Sequence, residues 1–148
     1  MITMSNPTPV SSPDSLRRKT ILIVDDDEAV RKGLRGVLVS EGYNVVAARH
    51  GREAVQVFRV HPCDLVLLDM NLPLRNAWGT IADLRALQSG LPAIMITARS
   101  DQRNVAQEAG LESMGKPLDL PLLLKRIRAL LNRAPNSLSA LPSASLPA

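Results

Sequence analysis

Short apolar runs of strand length recur along the chain at Thr20 to Val24, Asn44 to Ala48, Leu65 to Leu68 and Ala93 to Thr97, with a weaker one at Glu112 to Gly115. Between them the apolar period lengthens to that of a helix. Val30, Leu34, Val37 and Leu38 share one helical face, as do Ala54, Val55 and Phe58, then Ile81, Leu84 and Leu87, and finally Leu123, Ile127, Leu130 and Leu131. Gly42, Gly51, Pro62, Gly90, Pro92 and Gly110 punctuate the segments. Five strands alternating with five helices predict an α/β fold, a doubly wound parallel five-stranded sheet covered on both faces.

Composition narrows this picture. With 148 residues the chain has the size of one domain, and at 2% aromatic content its core must be built from Leu, Ile, Val, Ala and Met. Residues 1–18 and 134–148 are rich in Pro, Ser and other small polar residues, which predicts disordered ends around a domain at 19–133. The lone cysteine, Cys63, cannot form an internal disulfide and favours a reducing compartment. No apolar run approaches the roughly 18 residues needed to span a bilayer, and the N-terminus lacks a signal-peptide core, so a soluble, cytoplasmic chain is expected. The net charge of +4 is scattered, with local groups at Arg17 to Lys19 and at Lys125, Arg126, Arg128 and Arg133. Without interleaved aromatic residues or a separate recognition helix, these charges read as solvated faces and argue against direct nucleic-acid binding.

In a doubly wound sheet, ligands bind beyond the carboxyl ends of the strands, at the point where the strand order reverses. The residues at those ends therefore form one group whatever their separation in sequence. The first strand ends at Asp25 and Asp26, the third at Asp69, the fourth at Thr97, and the fifth leads to Lys116. Each has a bland reading alone, as a turn former, a strand hydroxyl or a surface charge. Together they bring three carboxylates, a hydroxyl and an ammonium to one edge. Mg²⁺ favours such oxygen ligands and takes one or two carboxylates directly, leaving room for a phosphoryl oxygen. Phosphoryl transfer needs mainly positioning and charge neutralisation, which the Thr and Lys would complete. Asp27 reads separately as a helix N-cap, with Glu28 in the first turn favoured by the helix dipole.

The blocks "ILIVDDD", "GYNVVAARHGREAV", "DLVLLDMNLP", "IMITA" and "GKPLDLPLLLKRI" resemble, in order and approximate spacing, the response regulator receiver domain of two-component signalling. The resemblance spans about residues 18 to 133. It implies the flavodoxin-like strand order 2-1-3-4-5 and a phosphoacceptor role for Asp69. By the same resemblance Asp26 is a direct Mg²⁺ ligand, Asp25 acts largely through metal-bound water, Asp69 shares the ion, and the backbone carbonyl of Asn71 completes the protein ligands. Thr97 would then hydrogen-bond the phosphoryl oxygens, and Lys116 would pair with Asp69 and afterwards with the phosphate. Pro117 matches a family proline whose peptide bond is often cis. The implied partner is a histidine kinase or a histidine phosphotransfer protein, with output through protein–protein contacts to an unidentified target and homodimerisation left open. No enzymatic turnover beyond self-catalysed phosphoryl transfer is implied.

Several positions depart from the family pattern. The loop after the third strand runs "PLRNAWG", about two residues longer than usual, with Trp78 where an acid would stand. Trp78 reads either as a packing residue beside Ile81 and Leu84 or as a partner-facing one. The stretch from Thr97 to Lys116 is about three residues short, which would shorten the fourth helix. Ser113 replaces the usual aromatic residue three positions before the lysine. These departures predict either output through a non-standard interface or an unusually mobile face there. No fold-sized segment follows Arg133, so a single-domain regulator is expected, with output in partners, a phosphorelay or a domain outside this sequence. Two alternatives remain: a degenerate receiver acting as a binding scaffold, and a phosphohydrolase resembling the haloacid dehalogenase class, with Asp25 as nucleophile and Asp27 as acid.

Overall fold

The computed structural model describes residues 18–69, 74–98 and 111–133. In chain order the elements are β1 (Thr20–Val24), α1 (Glu28–Ser40), β2 (Asn44–Ala48), α2 (Gly51–Val60), β3 (Leu65–Asp69), α3 (Leu74–Leu87), β4 (Ala93–Thr97), β5 (Glu112–Gly115) and α4 (Leu120–Leu131). The five strands form one sheet in the order β2-β1-β3-β4-β5, and every neighbouring pair is parallel. The expected fold class and strand order are therefore observed. The expected short helix between β4 and β5 lies outside the described residues, as do both terminal segments.

The alternation of side chains along a strand sorts the core into two layers. Leu22, Val24, Val66, Leu68 and Met95 point to one face, where Ala54 and Phe58 of α2 and Ala77, Ile81 and Leu84 of α3 cover them. Ile21, Ile23, Leu65, Leu67, Ile94 and Ile96 point to the other, under Leu34 and Leu38 of α1 and Leu123, Ile127 and Leu130 of α4. Because both faces are covered, β1, β3 and β4 are apolar at nearly every position rather than at alternate ones. Trp78 is half-buried and packs against the first layer, which supports the packing reading.

Local sequence explains the helix ends. Asp27 caps α1, its side chain accepting the N–H groups of Ala29 and Val30. Gly42, at φ 96°, follows α1 in the left-handed conformation that costs a glycine little, and Tyr43 N–H then donates back to the Leu38 carbonyl at 3.1 Å. Asp119 caps α4 by accepting Leu122 N–H at 3.1 Å, and Pro121 sits in the first turn, where no amide donor is required. At the far end of α3, the Arg85 guanidinium donates twice to the Leu91 carbonyl, at 2.9 and 3.1 Å, and ties the turn into β4.

Candidate functional site

Parallel register brings the candidate residues together. Val24 pairs with Leu68, so Asp25 follows β1 at the level where Asp69 ends β3. Asp69 pairs with Ile96 and Thr97 with Gly115, which sets Thr97 and Lys116 on the next two strands at the same edge. This edge is where the order reverses, since the connection from β2 to β3 passes over β1. The Lys116–Pro117 peptide bond is cis.

Oxygen atoms from the carboxylates of Asp25, Asp26 and Asp69 all lie within 4.8 Å of one another. Asp25 and Asp69 are buried, at 4% and 3% exposure, while Asp26 is exposed. The Lys116 ammonium donates to Asp69 Oδ1 at 3.2 Å. Backbone bonds hold Asp25 in place: its N–H donates to the Ala48 carbonyl at 3.1 Å, and its Oδ1 accepts Asp27 N–H at 2.9 Å. Thr97 is fully buried, and its carbonyl accepts Lys116 N–H at 3.0 Å.

The electrostatics of this edge are unbalanced. Burial pushes the Asp25 carboxyl up to about 6. The Asp27 amide opposes the shift, the Asp69 charge adds to it, and Lys116 opposes it in turn. Among the described residues, three carboxylates face one ammonium and leave a surplus of negative charge, part of it out of water. An octahedral Mg²⁺ with oxygens at about 2.1 Å sets its ligands at most roughly 4.2 Å apart, so this spacing is close to that of a common ion. A hard divalent cation thus fits the donor set in charge, ligand type and size.

All the sequence-derived candidates within the described residues stand at this edge; Asn71 lies outside them. Arg31 is absent from the sequence-derived set, yet its guanidinium donates to the Asp25 carbonyl at 2.8 Å. The available signal was its position four residues after the Asp27 cap, because helical side chains lean toward the N-terminus and return it to the strand end. Asp27 itself is engaged at the helix terminus, where its Oδ1 accepts the amides of Ala29 and Val30.

The profile of the response regulator receiver domain matches residues 21–128. This chain belongs to that family and is the receiver domain of a two-component response regulator. It is 40% identical over 116 residues to the response regulator MprA of Mycolicibacterium vanbaalenii, covering 76% of this chain and 50% of that protein. It is 33% identical over 116 residues to the response regulator RR06 of Streptococcus pneumoniae, covering 76% of this chain and 53% of that protein. The chain thus spans about half the length of the curated relatives it matches. Among solved structures, a putative response regulator from Chloroflexus aurantiacus superimposes with a TM-score of 0.72 at 32% identity, covering 79% of this chain and 100% of that one. The non-phosphorylated HemR receiver domain from Leptospira biflexa gives 0.70 at 29% identity, with coverages of 79% and 97%. Among the described residues, no helix is long and apolar enough to cross a membrane.

Proposed function

We propose that this domain accepts a phosphoryl group on Asp69 from the phosphohistidine of a histidine kinase or phosphotransfer protein and signals through protein contacts. The observation that carries the reading is the Lys116 ammonium 3.2 Å from the carboxylate of Asp69, with Asp25 and Asp26 grouped beside it. An Asp69 oxygen is the nucleophile, its bond to phosphorus forming as the phosphorus–nitrogen bond of the donor breaks. Lys116 orients that carboxylate and then pairs with a phosphoryl oxygen, and the Thr97 hydroxyl supplies a further hydrogen bond there. Asp25, Asp26 and Asp69, with the Asn71 carbonyl, would hold Mg²⁺, which would neutralise charge developing on the transferring group. Arg31 acts as a positioning residue by fixing the backbone of Asp25.

Incubation with acetyl phosphate and Mg²⁺, read by intact-protein mass spectrometry, tests the proposal. The wild type is expected to gain one phosphoryl group and Asp69→Asn none. Labelling that persists in Asp69→Asn would overturn the assignment, and the same experiment separates a phosphoacceptor from a binding scaffold.

A further inference from the structure

We propose that the groove between α2 and α3 is a docking site for an acidic peptide segment of a partner protein, gripped by Arg52 and Arg59. The groove encloses about 810 Å³, with Arg52, Gln56 and Arg59 on the α2 wall and Thr80 and Asp83 on the α3 wall. His50, the N-cap of α2, also lines the groove. A Cβ added at Gly79 would meet nothing within 4 Å, so the α3 wall is open at that position.

Charge gives the groove its preference. Arg52 and Arg59 are seven residues apart, two helical turns, so their guanidinium groups leave the same side of α2 roughly 10 Å from each other. Both are exposed, and neither forms an ion pair or side-chain hydrogen bond with any described residue. Some other cations of the domain are engaged, Lys32 with Glu28, Arg49 with Glu53, Arg126 with Glu112 and Lys116 with Asp69, so what sets Arg52 and Arg59 apart from the remaining exposed cations is their shared place on one groove wall. Arg31 and Arg85 are tied to backbone carbonyls. Two uncommitted guanidinium groups against the single carboxylate of Asp83 leave the groove cationic.

The occupant that fits is a peptide with two carboxylates about 10 Å apart on one side, as at i and i+7 of a helix. Among the described lining residues there is no Phe, Tyr or Trp to stack on a nucleotide base. The chain's own ends match poorly, because residues 1–17 contain one acid, Asp14, and residues 134–148 contain none. The groove also lies on the sheet face opposite α1 and α4, so its occupant leaves those helices free for a second partner. The inference does not depend on phosphoryl chemistry at Asp69.

Titration of the ¹⁵N-labelled full chain with a synthetic helical peptide carrying Glu at i and i+7, at 150 mM salt, tests it. Shift changes are expected at Arg52 to Arg59 and Gly79 to Asp83. The double variant Arg52→Glu/Arg59→Glu should bind at least about tenfold more weakly, Asp83→Asn about two- to threefold more tightly, and Asp69→Asn with unchanged affinity. Circular dichroism and thermal melts should show these exposed variants folded as the wild type. Shift changes centred elsewhere, equal binding by the charge-reversed variant, or no binding at millimolar peptide would each overturn the proposal. So would inorganic phosphate or a nucleotide giving the same shifts at lower concentration than the peptide.

Discussion

The Asp27 carboxylate accepts the amides of Ala29 and Val30, whereas Asp26, one residue earlier, turns toward Asp25 and Asp69. Neighbours of identical chemistry therefore carry unlike burdens, and mutation separates them. Asp27→Ala should lower the unfolding free energy by about 1 kcal/mol in urea denaturation and leave Mg²⁺-dependent phosphorylation intact. Asp26→Ala should abolish that phosphorylation with little change in the urea midpoint. Cys63 shows the opposite case of a reactive group silenced by its surroundings. Burial pushes its thiol up to about 12, and its Sγ donates to the His61 carbonyl at 3.0 Å, so the side chain behaves as a core residue rather than a nucleophile. The strand-end acids were legible in the sequence because turn residues and an apolar run mark where a strand stops. Arg31 was not, since its role depends on how α1 leaves β1.

The start of α2 is held by a reciprocal pair of bonds. His50 Nδ1 accepts Glu53 N–H at 3.2 Å, and Glu53 Oε1 accepts Arg49 N–H at 2.6 Å. The Arg49 amide, followed by its guanidinium, holds the Glu53 carboxyl below its ordinary value of 4.5. A lowered carboxyl pKa stabilises the fold fully above the unfolded value and loses that contribution as pH falls through the folded one. The wild type should therefore lose a few tenths of a kcal/mol between about pH 5 and pH 3 that Glu53→Gln does not, as followed by urea midpoints across that range. Helical periodicity exposed α2 at the sequence level, and its core-facing residues Ala54 and Phe58 are buried as expected. Its cap was not anticipated, because His is an uncommon cap and reaches the Glu53 amide only in the extended conformation that His50 adopts. On β5, the Arg126 guanidinium donates to Glu112 at 2.9 Å and reaches the Ser113 carbonyl at 3.5 Å. An ion pair thus lies beside the strand position where the family resemblance leads one to expect an aromatic ring.

Across the whole molecule, assembling the sheet forces Asp25 and Asp69 out of water beside one another, and the fold bears that cost at its functional edge. In the metal-free protein, Asp25→Asn should raise the melting temperature by removing a buried charge. Mg²⁺ at ten times its dissociation constant should stabilise the wild type by about 1.4 kcal/mol and the variant by less, as differential scanning fluorimetry would read. The pattern of apolar and polar positions by itself determined the order of the described elements, the layered α/β class and the residues at the strand ends, because burial imposes a period of two on strands and 3.6 on helices. Only the tertiary structure decided which acids are buried and that Trp78 packs inward, and it set at 3.2 Å the Lys116–Asp69 pairing, across 47 positions of sequence, that the family resemblance implied. The cationic groove between α2 and α3 likewise exists only once both helices share a face of the sheet. Distances between residues far apart in sequence come from the crossover of parallel strands, and no local pattern encodes them.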